Sequence, residues 1–200
     1  MRTVGILLAA GLSRRFGPTD KLMAPLHGRP LVTYAAATLR AVAPDVLIAV
    51  TSSEIVAAEL DGFLITQPEQ ADATQSASLR AGIFLAANLG ASRALLMLGD
   101  MPHITVGLAR RIVERCTEQS PAAATDGRTP KPPACFPTAC FPALLDLQGD
   151  LGARSLLRGL QPDNLVFATS GELRDIDTER DLVEVVANSP HRRPLRNRPV

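Results

Sequence analysis

Four short apolar runs, TVGILL at 3–8, VLIAV at 46–50, FLIT at 63–66 and ALLML at 94–98, each have the length of a buried strand. Helical periodicity fills the gaps between them. Leu31, Tyr34, Ala35, Thr38, Leu39 and Val42 recur at intervals of three and four residues, with Pro30 before them and Pro44 after, which predicts a core-facing helix with both ends marked. A second helix is expected from Thr74 or Ser76, turning Leu79, Ile83, Phe84 and Ala87 toward the core and stopping before Gly90. A third follows Thr105 as its cap and carries Leu108, Ile112 and Cys116 at four-residue spacing. Strands alternating with helices predict an α/β domain built on a mainly parallel sheet.

Beyond residue 120 the alternation loosens. A proline-rich stretch, TPKPPACFP, leads to two short helical segments around Leu144 and Leu156, and LVF at 165–167 and ELRDI at 172–176 are strand candidates. These segments are expected to elaborate the same domain, which therefore runs from residue 1 to about 187. From Asn188 the chain reads NSPHRRPLRNRPV, rich in Arg and Pro and without an acid, so it cannot bury a core and is expected to form a disordered basic tail.

Composition narrows the function more than the fold. With 46% hydrophobic residues in 200, the chain is long enough to bury roughly 70% of its unfolded surface as one domain. A net charge of +1, a single Tyr and no Trp argue against nucleic acid as a partner, since that binding needs clustered cations and stacking platforms. Cys116, Cys135 and Cys140 lack the two-residue spacing of zinc sites or redox pairs and read as reduced thiols of a cytoplasmic protein. His27, His103 and His191 are scattered and are not expected to bind metal. The opening MRTVGILLAAGLSRRF resembles a secretory signal only until Arg14 and Arg15, and no later run approaches a membrane span, so no membrane role is expected.

The segment LAAGLSRRFGPTDK, Leu8 to Lys21, follows the first strand directly, where open α/β sheets bind ligands. The small residues Ala9, Ala10 and Gly11 let backbone amides approach phosphate oxygens, Ser13 adds a hydroxyl donor, and Arg15 and Lys21 supply positive charge. Gly17 is followed by Pro18 where a P-loop needs Lys, and there is no GxGxxG, so the kinase and dehydrogenase signatures are missing. A connecting basic loop is the bland alternative. After the fourth strand, LMLGDMPHIT places Asp100 at a strand's carboxyl end, suited to holding Mg²⁺ on phosphates, although a Gly-Asp pair there is more often a plain turn. Asp175 and Asp177, two apart, would face the same side if ELRDI were a strand. Asp150 and Arg154, four apart in GDLGAR, have the spacing of an intrahelical ion pair.

Taken in order, these blocks resemble the molybdopterin nucleotidyltransferase family, in particular its molybdenum cofactor cytidylyltransferases. The resemblance rests on LAAGLSRRFGPTDKLMAPLHGRPL, SASLRAG at 76–82, GDMPHIT at 99–105, FPALLDLQGDLGARSLL at 141–157 and DIDTERDL near the end. It implies a three-layer Rossmann-like nucleotidyltransferase fold with a nucleotide site at Leu8, Ala9, Ala10, Gly11, Ser13, Arg15, Lys21, Ser76 and Ser78. Arg15, Lys21 and Asp100 would be catalytic, Asp100 and Asp177 would bind Mg²⁺, and Asp150 and Arg154 would line the acceptor pocket. The implied reaction transfers CMP from CTP to molybdopterin or molybdenum cofactor with release of pyrophosphate. LAAG, in place of LAGG, resembles the cytidylyl branch. The sequence departs from the family pattern at Pro132-Pro133, where relatives have His-Pro, at Thr74 in place of Gly, and at Glu179 in place of Pro.

Two alternatives remain open at this level. One keeps the chemistry and changes the molecules, with GTP as donor or another small phosphorylated acceptor. The other is a binding protein that delivers molybdenum cofactor to an apo-molybdoenzyme without turnover.

Overall fold

The structure, a computed structural model, describes residues 1–11, 16, 20–68, 74–149 and 153–188. All four apolar runs are strands. They form β1 (Thr3–Leu8), β4 (Val46–Val50), β5 (Leu64–Thr66) and β6 (Arg93–Leu98), joined in parallel in the order β5-β4-β1-β6. Between β1 and β4 lie a two-stranded hairpin, β2 (Pro25–Leu26) with β3 (Arg29–Pro30), and the helix α1 (Val32–Val42). The remaining elements in chain order are α2 (Glu54–Ala58), α3 (Gln75–Asn88), α4 (Val106–Arg115), β7 (Ala122–Thr125), β8 (Pro130–Pro137), α5 (Phe141–Leu145), α6 (Arg154–Leu157), β9 (Leu165–Phe167) and α7 (Glu179–Asn188). The seven-stranded sheet is completed by β8, antiparallel to β6, then β7, antiparallel to β8, and β9, parallel to β7.

Alternation along the strands divides the core into two layers. Leu7, Ala49, Leu95 and Met97 meet α1, α2 and α4 on one face, through residues such as Leu39, Val56 and Ile112. Val4, Ile6, Ile48 and Leu96 meet α3, α5 and α6 on the other, through Leu79, Ile83, Phe141 and Leu157. The result is a three-layer α/β fold with a mainly parallel sheet. A smaller cluster joins Ile176 and Val185 to Phe16, Leu26 and Leu31, fastening α7 to the hairpin. Among the described residues no helix is long and apolar enough to cross a membrane.

Two local expectations need correction, and two elements lie where none is predicted. Phe84 is 60% exposed and Ala87 is also exposed; α3 buries Leu79, Gly82, Ile83 and Ala86 instead. Its face is rotated because Gly82 lies against Ile6 and Val50, where a side chain would collide. The proline-rich stretch forms the internal strand β8, although proline removes ladder donors. The register with β7 shifts between Ala123 and Ala124 and passes over Pro132 and Pro133, so those residues carry no ladder pairing there. The segment ELRDI is a turn in which Leu173 and Ile176 are buried and Asp175 is exposed, so Asp175 and Asp177 do not share a strand face. Finally, the helix α7 follows that turn, in a stretch for which the sequence predicts no element.

Candidate active site

The sheet delivers two loop starts side by side. Leu8 and Leu98 are register partners at the carboxyl ends of β1 and β6, and Gly99 N donates to Leu8 O at 2.9 Å. A Cβ on Gly99 would lie 3.3 Å from that same oxygen and from Leu22 Cδ2, so glycine permits the close approach of the two loops. Asp100 follows directly and is thereby held over the end of β1.

Lys21 reaches Asp100 from a short helical turn, Lys21–Met23, capped by Asp20, whose Oδ1 accepts from Leu22 N at 3.0 Å. Leu22 is buried beside Gly99, which anchors the base of the lysine. Lys21 Nζ donates to Asp100 Oδ2 at 2.8 Å and to Asp177 Oδ1 at 3.2 Å. Asp177 is carried by the turn before α7, and that turn is tied to the same loop because Ile176 N donates to Asp100 O at 3.0 Å. Residues 79 and 156 positions from Lys21 therefore converge on one ammonium.

Among the described residues the charges of Asp100 and Lys21 are perturbed unequally. Burial pushes the Asp100 carboxyl above its ordinary range, with Asp175 and Asp177 adding to the effect and Lys21 only partly opposing it. Burial also works to lower the Lys21 ammonium, but Asp100 and Asp177 together outweigh it and hold the lysine above its usual value. The two directions differ because burial dominates at Asp100, whereas at Lys21 two carboxylates act together against it. Asp100 Oδ1 is moreover buried and without a hydrogen-bond partner among the described residues. A buried carboxylate oxygen in that position is costly unless a further donor or cation completes it.

The other predicted site residues are placed as follows. Ala9 N donates to Val50 O at 2.9 Å, so this amide is taken up by the sheet and is not aimed at a ligand. Ala10 is half-buried and Gly11 exposed at the mouth of the site. Ser76 and Ser78 lie in the first turn of α3 and are buried; Ser76 Oγ is 3.0 Å from Thr74 Oγ1 and accepts from Arg80 Nη1 at 3.3 Å. Thr74 caps the helix through Ala77 N, at 3.3 Å. Beside it opens a cavity of about 670 Å³ lined by Thr74, Arg80, Leu145, Asp146, Leu147, Gln148 and Gly149, with Arg80 Nη1 donating to Leu147 O at 2.6 Å across it. Ser13, Arg15, Asp150, the side chain of Arg154 and the tail from Ser189 lie outside the described residues. Among the described residues no group of three or more His, Cys, Asp or Glu is arranged to hold a metal, and the cysteines are free thiols.

Sequence reasoning missed the supports of this site. Asp20 caps the turn that carries Lys21, and Asp181 Oδ2 accepts from Asp177 N at 3.2 Å. The pattern Thr178-Glu179-Arg180-Asp181, with a hydroxyl three residues before an acid, was the available signal for the second.

The family model described as MobA-like NTP transferase domain matches residues 5–165. The purine catabolism protein PucB of Bacillus subtilis (strain 168) is 32% identical over 196 residues, covering 90% of this chain and 95% of that protein. A molybdenum cofactor guanylyltransferase of Cereibacter sphaeroides is 35% identical over 112 residues, covering 56% of this chain and 57% of the relative. Among solved structures, the Rv0371c protein of Mycobacterium tuberculosis H37Rv superimposes with a TM-score of 0.77 and 27% identity, covering 94% of this chain and 100% of that one. A second structure of Rv0371c is of its complex with manganese.

Proposed function

Because the chain belongs to the MobA-like NTP transferase family, we propose that it is a Mg²⁺-dependent cytidylyltransferase that moves CMP from CTP to molybdopterin or molybdenum cofactor and releases pyrophosphate. The observation that carries the reading is the convergence of Lys21 on Asp100 and Asp177, with Asp100 Oδ1 buried and unpartnered. Two carboxylates suit Mg²⁺, which keeps several waters and takes its other ligands from substrate phosphates. Asp100 and Asp177 would hold the ion, and when bound it would supply positive charge to the phosphate oxygens. The manganese complex of Rv0371c supports a divalent cation in this fold.

The chain's own residues would act by charge and position. The acceptor phosphate is already anionic, so it needs alignment with the α-phosphate more than a general base. Lys21 would neutralise charge growing on the transferred phosphoryl group and on the pyrophosphate leaving group, joined by Arg15 from the same loop. The amides of Ala10 and Gly11 and the hydroxyl of Ser13 would fix the phosphates, and the start of α3 would border the nucleoside, with Ser76 and Ser78 buried behind its first turn as supports. Asp150 and Arg154 would meet the acceptor.

CTP is favoured because the LAAG form of the first loop, Leu8 to Gly11, resembles the cytidylyl branch of the family. A GTP-dependent reading has its own support in the relatives named molybdenum cofactor guanylyltransferase, 35% and 33% identical over 56% and 61% of this chain. Pyrophosphate release measured in parallel with CTP, GTP, ATP and UTP, with and without molybdenum cofactor, separates the two. Fastest release with CTP supports the cytidylyl reading and fastest release with GTP replaces it. Ligand binding without release from any donor would instead favour a delivery protein for an apo-molybdoenzyme.

A further inference from the structure

We infer that Lys21 is an internal stand-in for the divalent cation, so that the site admits the cation–triphosphate complex and discriminates against the free cation. The inference rests on the transferase reading above and specifies the ligand of that same site. Its basis is where the ammonium sits. Lys21 Nζ lies 2.8 Å from Asp100 Oδ2 and 3.2 Å from Asp177 Oδ1, bridging the only two carboxylates assigned to the metal. The lysine side chain is 12% exposed and that of Asp100 22%, so the contact is largely shielded from water and weakly screened by salt.

A free cation entering between these carboxylates would meet the lysine charge within a few ångströms, in a partly buried setting where like charges repel strongly. It would also have to displace two charge-assisted hydrogen bonds without offering the ammonium anything in return. A triphosphate changes both conditions. Lysine is a point charge on a flexible four-carbon stem, whereas its backbone here is fixed by the Asp20 cap and the buried Leu22. The ammonium is therefore free to exchange its carboxylate partners for phosphate oxygens while its base stays in place. That exchange releases Asp100 and Asp177 for the cation brought with the phosphates. Nucleotide and cation are then positively coupled, each favouring the state in which Lys21 has left the carboxylates.

The test uses Mn²⁺ alone, without nucleotide, on the full chain at fixed pH, with free Mn²⁺ followed by electron paramagnetic resonance. Wild-type protein should bind weakly. Lys21→Met, which keeps most of the stem and removes the charge, should bind about tenfold more tightly or better, in the range usual for coupled sites. Lys21→Gln should do the same, so either variant that folds decides the matter. In the same variant, adding Asp100→Asn should abolish the gain, which locates the ion. Thermal melting supplies a second readout: each neutral variant should melt lower than wild type without metal and recover with Mn²⁺ more than wild type does. Unchanged Mn²⁺ affinity in a folded neutral variant would overturn the inference, as would a gain that survives Asp100→Asn. If the Mn²⁺ result holds and no nucleotide yields pyrophosphate, the counter-ion role stands and the transferase reading falls.

Discussion

Asp181 and Thr178 bind each other reciprocally: Asp181 Oδ2 accepts the Thr178 amide at 2.9 Å and its hydroxyl at 2.7 Å, and Thr178 Oγ1 accepts Asp181 N at 3.2 Å. This is a capping box at the start of α7. The same Oδ2 also accepts Asp177 N at 3.2 Å, so the box sets the turn that presents Asp177 to Lys21. On the other side Arg174 Nη2 holds Asp181 Oδ1 at 3.1 Å and Glu184 Oε2 at 2.7 Å. Stability of α7 and placement of a site carboxylate thus depend on one aspartate.

Asp181→Ala should therefore lower stability by about 1 kcal/mol, the usual cost of a lost cap. It should also slow nucleotidyl transfer on the order of tenfold, as loss of an outer-shell partner does at metal sites. Chemical denaturation and steady-state rates check the two parts separately. Loss of stability with an unchanged rate would mean that Asp177 is positioned by other contacts.

The same residue sets a pH dependence. The Thr178 hydroxyl first, then Arg174 and the amides of Thr178 and Asp177, hold the Asp181 carboxyl down at about 2 against the opposing effect of burial. Its folded value is thus below the unfolded value of about 3.9, so the stabilisation is complete above that value and is lost as pH falls through about 2. Asp181→Asn should be less stable than wild type at pH 6, and the difference should shrink between about pH 4 and pH 2. A constant difference across that window would show that the carboxylate charge contributes nothing.

Asp100→Asn should reduce turnover by about 10² or more while the fold is retained, since it weakens the site's most buried carboxylate. Asp177→Asn should cost less, about tenfold, because its side chain is 41% exposed against 22% for Asp100 and water substitutes more readily for its charge. Rates at saturating Mg²⁺, together with circular dichroism, check the order. Equal losses would mean that exposure does not rank the two carboxylates.

The parts of this molecule legible in its sequence are those governed by short-range periodicity. Ile6, Ile48 and Leu96 lie in uninterrupted apolar runs, and Thr105 caps α4 by accepting Leu108 N at 3.2 Å, a local rule read locally. Lys21 and Asp100 are each readable as following a strand, but their proximity depends on β1 and β6 being neighbours, which the sheet order decides. Less legible were features decided across the chain. Strand β8 carries four prolines, which local propensity argues against, yet its pairing with β6 through Ala94 and Phe136 and the register shift opposite β7 accommodate them. The face of α3 was misjudged because Phe84 fits a helical stripe as well as Ala86 does, and the choice between them depends on where the helix can approach the sheet.

That approach gives the last prediction, in which the sign of a glycine substitution depends on what faces it. Gly82 and Gly107 both lie within helices, where alanine is ordinarily better by about 1 kcal/mol. A Cβ at Gly107 would meet nothing within 4 Å, so Gly107→Ala should stabilise the protein by about 0.5–1 kcal/mol. At Gly82 it would lie 2.8 Å from Ile6 Cγ2 and 3.1 Å from Val50 Cγ2, two fully buried side chains on adjacent strands. Neither has room to withdraw, so α3 must lift from the sheet and overpacking should outweigh propensity. Gly82→Ala is expected to destabilise by about 1–3 kcal/mol. The effect should also reach the site, because the lifted helix carries Thr74 and Ser76 at its first turn, and KM for the nucleotide should rise more than kcat falls. Denaturant midpoints for the two variants, with the kinetics of Gly82→Ala, test the argument. A stabilised Gly82→Ala variant would show that the sheet yields to the helix, and destabilisation without a change in KM would separate the seat of α3 from nucleotide binding.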